Sequence, residues 1–404
     1  MSTTASPTAA PSYDNTVSPA DKAARHPSAF RRIASLDIVR GAVMVLMAID
    51  HVRVFAGVPT GGPPGIFFTR WVTHFCAPTF IFLAGTAAYL YGQRVQSRSE
   101  LSKFLLLRGL WLVVLELTLL RFGWTFNFDY ASFTFAGVIW AIGWSMVILA
   151  ALVYLPVAAI TAIGLVIIVG HNAIAPLIDS IESPSWILRV LYAGGNFSAG
   201  SGINVVVLYT LIPWVGVMAA GYGFGTVMRA SPEKRRRLCY SIGAASLVLF
   251  FVLRATSVYG DPRPWQSDQG VLPFLNPAKY PASLLFLLMT LGPVMLAIPL
   301  LENARGRVAR WLGVFGQVPF FYYVLHIPLI HLTALLISMV RTPTSTGWLV
   351  ANHPMLPPDV PPGYQWSLPL LYLVAAVMVT ILYFLCRWFA GVKSRSRDGW
   401  ARFL

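Results

Sequence analysis

The sequence has little charge for its length. Asp, Glu, Lys and Arg make up 11% of its 404 residues, whereas 56% of the residues are hydrophobic. An average soluble domain carries about 25% charged residues. The apolar residues occur instead in runs of about 20, a length that crosses about 30 Å of hydrocarbon. The composition therefore excludes an ordinary soluble domain and predicts a polytopic integral membrane protein.

Acidic residues and cysteines are also scarce. The chain has 15 Asp and Glu against 30 Lys and Arg, which gives a net charge of +15. The basic residues cluster in short loops between apolar runs, so they indicate a membrane topology and no nucleic-acid partner. Cys76, Cys239 and Cys386 fall inside apolar runs and form neither a disulfide framework nor a metal-ligand pattern. We expect them to be small buried core residues, and we expect no metal.

Several signatures of known chemistry do not occur. The sequence contains no nucleotide-binding P-loop, no GxSxG nucleophile turn and no HExxH zinc motif. It also shows no internal repeat, which weighs against a repeat-built transporter without excluding one. Any chemistry must therefore be sought in the polar residues within the apolar runs.

The alternation of basic loops with Gly- and Pro-rich loops predicts an all-α fold. We expect about ten transmembrane helices with both termini in the cytoplasm. Residues 1–31 are expected to form a disordered cytoplasmic tail, 32–392 the transmembrane domain and 393–404 a basic cytoplasmic tail. The predicted spans are 35–55, 68–91, 104–122, 135–154, 157–174, 203–227, 238–259, 280–301, 312–340 and 368–390.

The first predicted span is unusually rich in charge for a segment that could cross a membrane. A charge at the bilayer centre costs about 2.5–3.5 kcal/mol even on a lenient insertion scale. A segment that served as an anchor alone would not need several of them. The polar residues of this span are Asp37, Arg40, Asp50, His51 and Arg53.

Arg40 and His51 share one face of this span. They are eleven positions apart, which at about 100° per residue is close to three turns and about 16 Å. Asp37 lies one turn before Arg40, within ion-pairing reach, and two methionines, Met44 and Met47, fill the middle of the stripe. This face is expected to line a passage with a cation at one mouth and a titratable imidazole at the other.

These residue types suggest separate roles. A neutral imidazole at His51 could act as a general base toward a hydroxyl or an amine. Arg40 would suit an anionic ligand such as a phosphate that enters from the cytoplasm. Asp50 points about 100° away from His51 and is not an obvious orienting group. The alternative interpretation is an interfacial Asp37–Arg40 ion pair and an interfacial histidine.

The second and third spans carry further candidates. Arg70 and His74 lie one turn apart, and His74 could face His51 across a helix pair or be a satisfied core histidine. Glu116 lies at mid-membrane depth, where a carboxylate is a functional candidate by default. We favour a structural role for Glu116, protonated or paired with an arginine of another span.

The ninth span contains FYYVLHIPLIH. The spacing of its two histidines would not place them on one face of a helix. We prefer His326 to His331 as a residue that lines the site, because Tyr322 lies beside it. Both histidines could equally serve as polar contacts between helices.

The segment SLDIVRGAVMVLMAIDH has the Arg-x10-His pattern of the acyltransferase family three membrane proteins. The Gly-rich turn and CAPTFIFLAG that follow resemble more closely the heparan-α-glucosaminide N-acetyltransferase-type family and its bacterial, DUF1624-like relatives. The resemblance is most specific over residues 30–95. It continues more loosely through RGLWLVVLE, WAIGWSM and FYYVLHIPLIH.

The resemblance implies a multi-pass enzyme of the bacterial inner membrane. Such an enzyme takes an acyl group, acetyl in this family, from cytoplasmic acyl-CoA and transfers it to a sugar on the far side of the membrane. The resemblance places Arg40 on the arginine of the motif and His51 on its histidine. It implies that Arg40, together with Asp37, binds the acyl-CoA. The lysosomal members carry a histidine in the outer segment and an Asp before Phe-Pro. Here VPTGGPPGIFF has no histidine and the Asp position is His74, so the glucosamine acceptor is not carried over.

Two functions follow from these residues. The first is an acyltransferase with His51, His74 and Asp50 as catalytic candidates, whose partners are the lipid bilayer, acyl-CoA and an extracytoplasmic glycan or small-molecule acceptor. The second is a transporter or flippase that uses the same buried charges as a proton relay. Dependence on CoA separates the two, and the sequence leaves homo-oligomer formation open.

Overall fold

The computed structural model describes residues 33–200, 202–352 and 360–395. The predicted tail 1–31, the last nine residues of the predicted tail 393–404 and part of the Pro-rich loop before the last span lie outside the described residues. About 74% of the structure is helical. The described residues from Ala34 onward belong to one compact unit.

The described chain contains helices of very different lengths and three short strands. In chain order the helices are α1 (Ala34–Phe55), α2 (Pro64–Trp71), α3 (Cys76–Gly92), α4 (Arg98–Leu115), α5 (Arg121–Thr125), α6 (Val138–Leu152), α7 (Val157–Gly170), α8 (Ala175–Asp179), α9 (Trp186–Leu188), α10 (Leu211–Arg229), α11 (Pro232–Thr256), α12 (Val271–Phe274), α13 (Leu284–Leu300), α14 (Arg307–Gln317), α15 (Pro319–Arg341), α16 (Thr346–Leu349) and α17 (Leu368–Arg395). The strands are β1 (Thr134–Ala136), β2 (Gly195–Ser198) and β3 (Asn204–Val207).

Six helical segments of the described chain are long and apolar enough to cross a membrane: Pro64–Gly92, Val157–Asp179, Leu211–Arg229, Pro232–Thr256, Pro319–Arg341 and Leu368–Arg395. Helices α6 and α13 are apolar but shorter, and α1 has 22 residues but carries several charges. Many large hydrophobic side chains are exposed on the outside of these helices, as expected of surfaces that face lipid. The prediction of a mostly helical membrane protein is confirmed, whereas the count of ten spans and the orientation of the termini stay predictions.

The helices differ in how much of their surface is buried inside the protein. The apolar part of α10 is 83% buried, against 22% for α11 and 28% for α7. Small residues let α10 pack closely on α3, since a methyl group on Gly85 or Gly221 would collide with the backbone of the other helix. Helix α10 is therefore the most buried of the six membrane-length segments of the described chain.

Helix α1 is fixed to its neighbours at both ends. Near its start, Gly41 and Gly316 provide the space for α1 and α14 to meet backbone to backbone. Beyond its last turn, the hydroxyl of Tyr364 donates to the carbonyl of Phe55 at 2.5 Å. The amide of Trp366 donates to the carbonyl of the next residue, Ala56, at 3.0 Å. These contacts hold the polar face of α1 in one orientation.

The prediction of an entirely helical chain misses a small sheet. Its strand order is β1-β3-β2, with β1 parallel and β2 antiparallel to β3. One predicted span start, 135, falls in β1 and another, 203, lies just before β3, so α6 and α10 begin later than expected, at Val138 and Leu211. The β-branched run NVVV prefers a strand, and a short apolar run does not distinguish strand from helix by periodicity.

Candidate active site

A pair of histidines lies at the centre of the polar residues. His51 is half-buried near the end of α1, and His326 is fully buried in α15. Their rings stack with centroids 4.8 Å apart, and Nδ1 of His51 lies 2.6 Å from Nε2 of His326. The structure thus joins the motif histidine of α1 to the histidine that the sequence favoured in α15.

The surroundings of His326 determine which ring nitrogens of this histidine pair carry a proton. Its Nδ1 lies 2.7 Å from the carbonyl oxygen of Tyr323 and 3.2 Å from that of Tyr322. Because carbonyls only accept hydrogen bonds, this nitrogen carries a proton, and Nε2 of neutral His326 is an acceptor. His51 then donates from Nδ1, so the lone pair of neutral His51 is on Nε2. The arrangement leaves Nε2 of His51 as the basic nitrogen.

An aromatic side chain that sequence reasoning did not single out borders this base. Trp124 of α5 meets the ring of His51 edge-on, with centroids 4.9 Å apart. Its indole Nε1 is buried and has no hydrogen-bond acceptor among the described residues. A buried donor without a partner beside a base is a recognised feature of catalytic sites.

Arg121 holds the segment that carries Trp124. Its guanidinium is fully buried and donates to the carbonyl of Phe133 at 2.8 Å, to the hydroxyl of Thr125 at 2.9 Å and to the side chain of Asn352 at 3.1 Å. The ring of Tyr130 lies 4.5 Å from the guanidinium carbon. Arg121 therefore ties the end of α5 to two loops and fixes the wall beside His51.

Asp50 does not contact the imidazole of its neighbour through a hydrogen bond in the described structure. Its carboxylate pairs with Arg53 at 3.0 Å, and Arg53 also donates to the carbonyl of Val58 at 2.9 Å. This agrees with the helical angle, which directs Asp50 away from the face of His51. Asp50 balances a cation at this end of α1, and its predicted catalytic role stays a prediction.

Arg40 marks the other end of the stripe. Its guanidinium pairs with Asp37 at 3.3 Å and donates to the carbonyl of Gly316 at 3.1 Å. The pairing agrees with the predicted i,i+3 contact. Arg40 therefore sits where α1 meets α14, about 16 Å along the helix from His51.

A surface cavity of about 450 Å³ opens on the same helix, α14. Two arginines, Arg307 and Arg310, and two aromatic residues, Trp311 and Tyr383, line it. Guanidinium groups recognise phosphates, and aromatic rings stack on flat heterocycles. The lining therefore combines cationic and aromatic side chains in one surface cavity.

The middle of the stripe is packed. Met44 has no exposed surface and Met47 is 4% exposed. The hydroxyl of Tyr322, another predicted site residue, donates to the carbonyl of Met44 at 2.9 Å and so fastens α15 to α1. The expected passage along this face is closed in the structure, and opening it requires the flexible methionine side chains to move.

His74 lies in the short 3₁₀ segment Val72–Phe75, between α2 and α3. Its ring packs edge-on against Phe286, with centroids 5.4 Å apart. It is 2% exposed, and neither of its nitrogens has a hydrogen-bond partner among the described residues. His74 therefore does not make the direct contact to His51 that the sequence allowed. Arg70, one turn earlier, is half-buried.

Glu116 and His331 are buried outside the histidine pair. Glu116 begins a π-helical turn, and its carboxyl lies against Gly137 at the start of α6, where the helix dipole favours a negative charge. His331 is stacked between Phe55 and Phe126 and bonded to a backbone carbonyl through Nδ1. Neither carboxyl oxygen of Glu116 has a hydrogen-bond partner among the described residues, and the roles of both residues stay predictions.

The described residues contain no group of three or more His, Cys, Asp or Glu side chains that could hold a metal ion. Cys76, Cys239 and Cys386 are buried free thiols there.

The fold and the site define a membrane protein in which two histidines are in contact near one end of α1 and an arginine–aspartate pair lies near the other. Residues 32–256 match the model of the family described as heparan-alpha-glucosaminide N-acetyltransferase, catalytic. This match covers more than half of the chain, so the protein belongs to that family of membrane acetyltransferases. No curated protein matches the chain.

Proposed function

We propose that the protein is a membrane-bound acyltransferase that moves an acetyl group from acyl-CoA to a hydroxyl or amine of a sugar or glycan. The observation that carries this proposal is the hydrogen-bonded series from the Tyr323 carbonyl through His326 to His51. It presents a basic Nε2 in a partly open position, which is the arrangement that a general base requires.

The proposed reaction is a single transfer. The acceptor O–H or N–H gives its proton to Nε2 of His51 as its oxygen or nitrogen attacks the thioester carbon. The C–S bond breaks, and the proton passes from His51 to the departing CoA thiolate. His326 accepts the Nδ1–H bond throughout and stabilises the imidazolium that forms. Trp124 supplies a buried N–H for the oxyanion of the tetrahedral intermediate.

The donor would bind from the basic end of the site. The cavity lined by Arg307, Arg310, Trp311 and Tyr383 takes the nucleotide. Arg40, on α1, donates to the carbonyl of Gly316 in the helix that carries this cavity. The pantetheine arm would follow this face toward His51. General-base catalysis of this kind raises the reaction rate by about 10²–10⁴-fold, and the positioning of the two substrates raises it further.

The topology belongs to the same proposal. Ten spans, with both termini and the α14 cavity in the cytoplasm, place His51 toward the extracytoplasmic side of a bacterial inner membrane. The basic loop RASPEKRRR and the loop ENARGRVAR then face the cytoplasm, as the positive-inside pattern requires. The acceptor would reach His51 from the opposite side, beneath the Pro- and aromatic-rich loops.

The testing experiment follows free CoA released from acetyl-CoA by purified protein in detergent. We expect slow hydrolysis without an acceptor, loss of this activity in His51→Ala and a raised KM for acetyl-CoA in Arg40→Ala. Arg307→Ala would test the donor cavity, and Arg341→Ala, which removes an exposed cation at the end of α15, is the control. If the wild type neither binds nor turns over acetyl-CoA, the transferase is refuted and the transporter that uses these charges as a proton relay becomes the better proposal.

A further inference from the structure

Glu116 carries a buried carboxyl group that the proposed reaction does not use. The residue is 0% exposed, and neither carboxyl oxygen has a hydrogen-bond partner in the described part of the chain. None of the ion pairs between described residues includes Glu116, so the arginine partner that the sequence analysis considered is not found there. A buried polar group without a partner costs about 1–3 kcal/mol. The carboxyl group of Glu116 therefore lacks the hydrogen-bond donor that would complete it.

The backbone around this carboxyl group is shaped to admit it. Glu116 begins the π-helical turn Glu116–Leu120, and such turns occur frequently at functional sites. A methyl group on Gly137 would lie 2.2 Å from Oε1 of Glu116. Gly137 itself has a φ of −92° in an extended conformation, which other residues also adopt. The glycine therefore provides space for the carboxyl group and is not required by the backbone angle.

A wall of buried aromatic side chains connects Glu116 to His51. The ring of Phe135 lies 2.6 Å from the same Cβ position on Gly137, so this ring packs beside the carboxyl group. The rings of Phe135 and Trp124 have centroids 6.4 Å apart, and Trp124 meets His51 at 4.9 Å. Both Phe135 and Trp124 are buried. The carboxyl group thus lies in the wall of the candidate active site, one aromatic ring beyond Trp124.

The pantetheine arm of acyl-CoA supplies the chemistry that Glu116 lacks. The arm is a thin chain, and two methylene groups separate the thioester sulfur from its nearer amide. An amide N–H that enters an apolar interior costs free energy unless it finds an acceptor. Met44 and Met47 of the predicted passage offer thioether sulfurs, which are weak acceptors. A carboxyl oxygen in the same wall as Trp124 and His51 is a much better one.

We propose that Glu116 binds the pantetheine arm of the acyl donor, with a carboxyl oxygen accepting the N–H of the amide nearest the thioester. This inference rests on the proposed function and adds a donor-binding residue to it. The bond would complete both the carboxyl group and the amide, each of which is otherwise buried without a partner. It would also hold the thioester in the part of the wall that Trp124 and His51 border.

Binding measurements test this without turnover. Isothermal titration of protein in detergent compares CoA with adenosine 3′,5′-bisphosphate, which has a nucleoside and phosphates but no pantetheine arm. We expect wild-type protein to bind CoA more tightly than the bisphosphate. Glu116→Leu should weaken CoA binding about tenfold or more, because the amide N–H loses its acceptor, and should leave the affinity for the bisphosphate unchanged. Glu116→Gln keeps a side-chain oxygen that accepts an N–H and should retain most of the CoA affinity.

A modified ligand gives the same test on wild-type protein. In acetyl-CoA with the amide nearest the thioester replaced by an ester, the N–H is lost and the rest of the molecule is kept. We expect this analogue to bind wild-type protein about tenfold or more weakly than acetyl-CoA, and to bind Glu116→Leu about as tightly as acetyl-CoA does. Equal binding of the two ligands to wild-type protein overturns the inference.

Thr118→Val is the matched control. Thr118 lies in the same π-helical turn, but its side chain is exposed, so the substitution should not change CoA affinity. A loss equal to that of Glu116→Leu would show that disturbance of the turn explains the effect, and would overturn the inference. Unchanged CoA affinity in Glu116→Leu overturns it as well and leaves the transferase standing. If wild-type protein binds neither CoA nor the bisphosphate, it is the proposed function that fails.

Discussion

His326 should act on catalysis through His51 rather than through the substrate. In His326→Leu, the Nδ1–H of His51 loses the acceptor that lies 2.6 Å away. The proton of neutral His51 can then sit on either nitrogen, and the imidazolium that forms in the reaction loses its partner. A hydrogen bond to a charged group contributes about 1.5–3 kcal/mol. At 1.36 kcal/mol per tenfold change in rate, we expect kcat to fall by roughly 10- to 150-fold.

The pattern of kinetic constants distinguishes this role from a binding role. Arg40 lies toward the other end of α1, about 16 Å along the helix from His51, so the KM for acetyl-CoA should stay near the wild-type value in His326→Leu. His51→Ala should lose more activity, because it removes the base itself. His326→Gln should recover part of the loss, since its amide oxygen can accept the Nδ1–H bond. The assay is CoA release, normalised to folded protein.

His331 provides the matched control. It lies in the same helix, is equally buried and also bonds a backbone carbonyl through Nδ1, but its ring neighbours are Phe55 and Phe126. His331→Leu should lower Tm with little effect on kcat. Wild-type kcat in His326→Leu would refute the proposed relay. An equal loss of kcat in the two variants would show that packing, rather than the relay, explains the effect.

Three further predictions concern stability, measured as Tm in detergent. Gly41→Ala should lower the free energy of unfolding by about 1–3 kcal/mol, because the added methyl group overlaps the backbone of α14. Arg121→Lys keeps the charge, but the lysine cannot reach all the acceptors of the guanidinium. We expect the free energy of unfolding to fall by about 1.5–3 kcal/mol, and an unchanged Tm would contradict this. Burial raises the pKa of Glu302, but hydrogen bonds from Arg235 and Arg236 outweigh it and hold that pKa below its ordinary value. These ion pairs therefore stabilise the fold above the unfolded pKa of glutamate, about 4.3. The stabilisation is lost as the pH falls through the lower pKa of the folded state. The small difference in Tm between wild type and Glu302→Gln should therefore disappear in acid.

The sequence predicted the parts of the site that lie within one helix. The ion pair of Arg40 with Asp37 depends on helix geometry alone, and the structure contains it. Helix geometry also explains why Asp50 points away from the imidazole beside it. The apolar runs were sufficient to predict a helical membrane protein because about 20 apolar residues can span the membrane as a helix, which satisfies its own backbone hydrogen bonds.

The parts that depend on contacts between distant segments were less accessible. The bond from His51 to His326 joins residues 275 positions apart, and it was His326, not His74, that reached His51. Trp124 was missed because one Trp in an apolar run does not stand out.

The way α1 is held favours a transferase over a transporter. Alternating access is largely a rigid-body movement of one group of helices against another, and a relay on α1 would have to move with it. Yet α1 meets α14 backbone to backbone at Gly41, and its far end is bonded to Tyr364 and Trp366. The methionines between these fixed ends can change rotamer without moving the helix. A passage that opens by side-chain movement suits a thin acyl arm passing along a fixed helix to a fixed base, and it does not suit a solute that must be carried across.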